Sequence, residues 1–176
     1  MQDTSNRTPE LYAVIKPLIK PEFTFLDIGC GFLPLYLGTS LASAIQDDFP
    51  EAGFCGLDSI PKVIEWCKAR HPHYEWVHTL AEEFEVERGY DFVIYTGIDK
   101  AWSNAWKLNI KLLESGTPPE FVLLEAGEAA EIIKKVAEIY YAAGYTSIVD
   151  GSFVWDMEGI NTPQRVYMVL KRGDKC

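Results

Sequence analysis

Short, nearly continuous apolar runs alternate along this chain with longer stretches in which apolar residues return every third or fourth position. The first pattern is that of strands buried on both faces, the second that of amphipathic helices. The runs Phe23 to Ile28, Phe54 to Asp58, Tyr74 to His78, Tyr90 to Tyr95, Phe121 to Glu125, Tyr145 to Asp150 and Val166 to Leu170 predict seven strands. Helical spacing occupies Leu35 to Asp48, Pro61 to Arg70, Trp102 to Leu113 and Ala129 to Ala143, the last stopped by Gly144. Alternation of this kind predicts an α/β fold, a mostly parallel sheet covered by helices on both faces. The last two runs have no helix between them and therefore pair as an antiparallel hairpin. Their connection, Gly151 to Gln164, carries Phe153, Trp155, Asp156, Met157, Asn161 and Pro163. Connections beyond about 12 residues are more often functional than short ones.

Ahead of the first strand, Thr8-Pro9-Glu10 reads as a helix start, with Leu11, Val14, Ile15 and Leu18 as its apolar face and Pro21 as its stop. At 176 residues, 48% hydrophobic and 24% charged, the chain makes one globular domain over residues 1–176, with 1–20 a helical cap on a core of 21–172. Its apolar runs are too short to span a bilayer, and Met1 to Lys20 lacks the apolar core of a secretory signal, which predicts a cytoplasmic protein. The four cysteines, Cys30, Cys55, Cys67 and Cys176, show neither zinc spacing nor a disulfide framework. A formal charge of −10 without a basic cluster argues against nucleic acid as a partner and for a neutral or cationic small molecule or a protein partner.

Candidate chemistry begins where the first strand ends, at Asp27-Ile28-Gly29-Cys30-Gly31. Glycines here let the backbone turn sharply and come close to a ligand. The dinucleotide-binding fingerprint asks for a third small residue three positions after the second glycine, and Pro34 stands there instead. A second carboxylate, Asp58, ends the second strand, the position from which nucleotide-binding α/β folds accept hydrogen bonds from ribose hydroxyls. Asp58 otherwise shares with Ser59 the capping of the helix that follows.

An acid, any residue, Gly, any residue, Gly at a strand end resembles motif I of the class I S-adenosylmethionine-dependent methyltransferases, with Leu33 where the common pattern has a further Gly. With the antiparallel last strand, the resemblance covers Phe23 to Lys171. It implies a three-layer Rossmann-like sandwich, seven strands in the order 3-2-1-4-5-7-6, with S-adenosyl-L-methionine as cofactor. It further implies that Asp27 lies near the methionine ammonium or the ribose, and that Gly29, Cys30 and Gly31 line the cofactor's path beside Asp58 and Ser59. Leu80 occupies the family's usual acidic position, and Ala81 and Glu82 after it are the implied adenine contacts.

Methyl transfer from a sulfonium needs alignment more than acid-base groups, so the lack of a catalytic triad is no objection. Where the acceptor must lose a proton, Asp99 is the first candidate base and Tyr95 the second, Tyr95 also lining the cofactor. Asp99 otherwise caps the next helix, and Trp102 and Trp106 share a helix face suited to a core or a pocket wall. No cluster with metal-ligand character is visible, and His78 is a lone histidine near the inferred cofactor. The expected reaction is methyl transfer to a small-molecule acceptor, in a crevice covered by the N-terminal helix and the Gly151 to Gln164 connection. The alternatives are a noncatalytic binding module, an aminopropyl transferase or an RNA methyltransferase of the same fold.

Overall fold

The computed structural model describes residues 7–31, 41–98, 106–127, 130–154 and 164–173. Helix α1 (Arg7–Ile15) gives way to one 3-10 turn, Lys16–Leu18, earlier than the apolar spacing predicts. Pro17 is the cause, because it has no amide proton to continue the helix. There follow β1 (Thr24–Ile28), α2 (Leu41–Asp48), β2 (Gly53–Asp58), α3 (Pro61–Arg70), β3 (Glu75–His78) and a 3-10 turn at Ala81–Glu83. The second half holds β4 (Phe92–Ile98), α4 (Trp106–Glu114), β5 (Phe121–Ala126), α5 (Ala130–Ala142), β6 (Tyr145–Val154) and β7 (Gln164–Arg172).

The strands form one sheet in the order β3-β2-β1-β4-β5-β7-β6, with β7 antiparallel to both neighbours and every other pairing parallel. This is the predicted three-layer arrangement. Both hairpin strands run further than their apolar runs, so 151–154 and Gln164 are strand, while 155–163 lie outside the described residues. The predicted helix starts at Leu35, Trp102 and Ala129 also lie outside them. No helix among the described residues is long and apolar enough to cross a membrane.

Strand alternation sorts the core into two layers. Phe25, Phe54, Phe92, Ile94, Phe121 and Leu123 pack with Leu11 and Ile15 of α1, Ile45 of α2 and Val63 and Cys67 of α3. Leu26, Ile28, Leu57, Val93, Tyr95, Val122 and Leu124 pack on the other face with Leu108 and Leu112 of α4 and Ile133, Ala137 and Tyr140 of α5. Register aligns Phe54, Phe25, Phe92 and Phe121 across four strands, with successive ring centroids 6.2, 5.7 and 5.5 Å apart. This aromatic row floors the first layer, two residues below Asp27. Leu11, Ile15 and Ile19 are buried in the same layer, and Asp48 at the end of α2 accepts hydrogen bonds from Tyr12 (2.5 Å) and Lys16 (2.7 Å). The N-terminal helix is thus a part of the core, and its removal would open that layer to water.

Candidate functional site

Asp27 and Asp58 point from the sheet toward the α1–α3 layer, on the same side as Phe25 and Phe54 two and four residues earlier. Both are buried, 4% and 9% exposed, at the carboxyl ends of β1 and β2. Between them runs the glycine turn. Gly29 takes φ 75°, and the amides of Gly29 and Cys30 both donate to the Leu57 carbonyl, at 2.8 and 3.1 Å, which folds the turn across onto β2. At Gly31 a Cβ would stand 1.7 Å from Val63 Cγ1, so only glycine lets α3 approach this closely.

Asp58 is held by main-chain groups. Its Oδ1 accepts the Ile60 amide at 2.9 Å, and the amides of Gly31 and Ser59 also donate to the carboxylate. Burial nevertheless pushes its pKa above the ordinary carboxylate value, outweighing those amides and the nearby His78. Neither Asp58 nor Ser59 caps α3: Ile60 takes the N-cap position without a side-chain cap, and Pro61 opens the helix. Ser59 is exposed, and its carbonyl lies 3.1 Å from His78 Nε2 on the neighbouring strand.

Two apolar side chains, one of them overlooked in the sequence, stand at these tips. Ile60 is 46% and Leu80 45% exposed, each two residues past the paired Asp58 and His78. Their visible signal was an apolar residue where a strand has just ended in a polar one. Next to them, Ala81 is half-buried against the second core layer, and Glu82 is half-buried with its carbonyl 3.3 Å from Lys111 Nζ.

Two expected site residues turn their side chains into the core. Cys30 contributes only backbone to the turn: its side chain is 7% exposed, in contact with the Cys67 thiol, and that contact, burial and Asp27 push its pKa well up. Tyr95 faces the opposite layer from Asp27 and Asp58, 1% exposed among Val93, Leu124 and Tyr140. Burial raises its pKa far beyond the ordinary phenol, with a smaller opposing effect from Tyr140. The strand does not end at Tyr95 but continues through a register irregularity to Ile98, with Gly97 at φ 75°. Asp99 and Trp102 lie outside the described residues, and Trp106 is 44% exposed at the start of α4.

The same edge holds a buried ion pair that sequence reading missed. Glu125 on β5 is fully buried; its Oε1 accepts Arg165 Nε, and its Oε2 accepts Arg165 Nη2 at 3.0 Å and the Gly97 amide at 2.7 Å. The pair ties together the ends of β4 and β5 and the start of β7. A cleft of about 770 Å³ opens at the opposite edge of the sheet, lined by Thr24, Asp91, Thr117, Glu120, Lys171 and Arg172 among others. It lies by the starts of β1, β4 and β5, away from both strand-tip carboxylates.

No family model matches the chain, and no curated protein matches it. Solved structures do share its fold. The N-methyltransferase NodS from Bradyrhizobium japonicum, in complex with S-adenosyl-L-homocysteine, matches over 96% of this chain and 87% of its own, with a TM-score of 0.69 and 11% identity. A SAM-dependent methyltransferase from Methanosarcina mazei matches over 92% and 97% at TM-score 0.65 and 10% identity. The O-MT residues of StiE match over 93% and 74% at TM-score 0.67 and 10% identity. At such identities the likeness establishes the fold.

Proposed function

We propose that the chain binds S-adenosylmethionine across the tips of β1, β2 and β3 and methylates a small-molecule acceptor beyond β4 and β5. Asp58 carries this reading. A buried carboxylate aimed by three amides, yet raised in pKa because burial outweighs those amides and His78, gains stabilisation from hydroxyl donors, and the paired hydroxyls of a ribose supply two. The surroundings fit the rest of that molecule. Gly29 and Gly31 keep the turn low, Ile60 and Leu80 offer apolar surface to a base, and Asp27 offers negative charge toward an ammonium or sulfonium. The fold shared with NodS supports the same reading, since that protein was solved with S-adenosyl-L-homocysteine.

When bound, the cofactor supplies a methyl group on a cationic sulfur, transferred to an acceptor's lone pair as the sulfur leaves as a neutral thioether. The chain's own part is to hold, align and exclude water. With Tyr95 buried on the far face, Asp99 is the base we assign for an acceptor that must lose a proton. The net charge of −10 favours a small acceptor over nucleic acid, and the names N-methyltransferase and O-MT among the similar structures leave the acceptor atom to experiment. Free thiols at Cys30, Cys55 and Cys67 fit a cytoplasmic setting.

Calorimetry with S-adenosylhomocysteine tests the reading: saturable binding is expected, with none for nicotinamide dinucleotides, and silence toward both S-adenosyl ligands sinks it. Screening metabolite fractions with a labelled methyl donor then finds the acceptor. With it in hand, Asp99→Ala should lower turnover while cofactor affinity stays within about threefold; unchanged turnover in the folded variant returns Asp99 to a capping role.

A further inference from the structure

The segment joining β3 to β4 has one 3-10 turn and otherwise no regular structure. Its amides at Glu83 and Phe84 bond back to the Leu80 carbonyl, at 3.0 and 3.2 Å, and the same turn carries the carbonyls of Glu82 and Phe84. Both are met by one side chain from another element. Lys111, on α4, places its Nζ 3.3 Å from the Glu82 carbonyl, 2.9 Å from the Phe84 carbonyl and 3.0 Å from Glu85 Oε1. An ammonium has three protons, and here three acceptors of one segment surround it. With its side chain 31% exposed, the contact is partly shielded from water. Phe84, buried, anchors the same segment into the second core layer from below, while Leu80 stays outward.

We propose that Lys111 is a positioning residue for the cofactor's base: it fixes the 80–85 turn so that Leu80 is presented beside Ile60 at the tips of β3 and β2. The proposal rests on the reading of those tips as the S-adenosylmethionine site. Without the clamp, three contacts from α4 to the turn are lost and the turn gains conformations, which the ligand must then remove on binding. The clamp also joins the base side of the site to α4, the helix that follows the β4 end of the crevice.

The probe is S-adenosylhomocysteine, titrated into four folded chains: the parent, Lys111→Met, Leu80→Ala and the double variant. Lys111→Met should weaken binding about fivefold in the parent background and less than about twofold in the Leu80→Ala background, since a residue acting through Leu80 loses its effect once Leu80 is gone. Equal losses in both backgrounds, or no loss in the parent background, overturn the proposal. Amide hydrogen exchange gives an independent readout: in ligand-free Lys111→Met the 81–86 amides should exchange faster than in the parent, with α4 unchanged. Accelerated exchange throughout α4 assigns Lys111 to helix docking and overturns the positioning role. Lys111→Arg, which keeps a cation and several donors, should recover most of the affinity, and guards against a Met variant that folds poorly. A parent chain that fails to bind the probe removes the cofactor reading itself, a result distinct from any of the variant outcomes.

Discussion

Asp58 and Glu125 are both buried acids near carboxyl ends of parallel strands, on the same face of the sheet, and their charges are answered differently. Glu125 meets the guanidinium of Arg165 through both oxygens, with the Gly97 amide added. A bidentate arginine matches a carboxylate in charge and in shape, so this site is complete without a ligand and serves to join three strands. Asp58 has amides and the neighbouring His78 but, among the described residues, no arginine or lysine, and burial leaves its pKa raised. A strand-end acid alone therefore does not mark a binding site. On the reading proposed above, what distinguishes Asp58 is a carboxylate that the fold has oriented and whose charge burial disfavours.

Breaking the complete site should have the largest effect. Arg165→Leu strands Glu125 in the core and should destabilise the fold by about 3 to 5 kcal/mol in urea titrations, whereas Glu125→Leu with Arg165→Leu should lie closer to the parent. A loss below about 1 kcal/mol for Arg165→Leu would show that the pair is not the closure described. Asp58→Asn should separate function from stability. It removes a charge-assisted contact worth about 1.5 to 3 kcal/mol and so should weaken S-adenosylhomocysteine binding by about tenfold or more. The unliganded fold should behave oppositely. A carboxyl whose folded pKa lies above its unfolded value stabilises the fold below the unfolded pKa, and that contribution disappears as pH rises through the folded value. The Asn variant, which cannot ionise, should gain on the parent between pH 4 and 7. A fall in its relative stability over that range would mean that the carboxylate is compensated after all.

His71 sharpens the comparison from the basic side. It is buried, with Ser43 Oγ 2.9 Å from Nε2 and Gln46 Oε1 2.8 Å from Nδ1, and burial lowers its pKa. The residues facing it, Ser43, Gln46, Tyr74 and Trp76, are neutral, with Arg70 and His73 opposing protonation and Asp47 favouring it. Stability from a histidine with a lowered folded pKa is present above the unfolded value and is lost as pH falls through the folded one. Thermal melts from pH 7 down to 5 should show this decline in the parent and a shallower one in His71→Gln. Equal slopes would remove His71 from the acid response. The smallest effect is expected at Tyr95, where Tyr95→Phe should cost about 1 kcal/mol of stability and leave S-adenosylhomocysteine affinity within about twofold. A large loss of affinity would restore Tyr95 to the site.

The strand runs were legible because each is a block of apolar residues, and the order of the sheet followed from the motif resemblance and the hairpin at the end. Asp27 and Asp58 were legible for a local reason, since a carboxylate that ends an apolar run and precedes a turn has a strand tip as its place. Tyr95 was misplaced because alternation along β4 says only that it opposes Ile94, and which face carries the carboxylates is set by the neighbours. For Cys30 the sequence position puts the backbone in the turn, where it lies, and only packing against Cys67 sends its side chain into the core. Ile60 passed unnoticed, and Leu80 was read only as a departure from an acidic position, as exposure cannot be read from an apolar letter.

By itself the sequence determined the elements, their alternation and the turn, because hydrophobic period, proline and glycine act within a few residues and depend on nothing distant. The tertiary structure decided how each charge was answered. Arg165 reaches Glu125 across 40 residues, Lys111 reaches the Glu82 carbonyl across 29, and the Gly31 amide reaches Asp58 across two strand ends. Such contacts hold where burial makes an unanswered polar group costly, and burial belongs to the packed molecule, not to any segment of the chain.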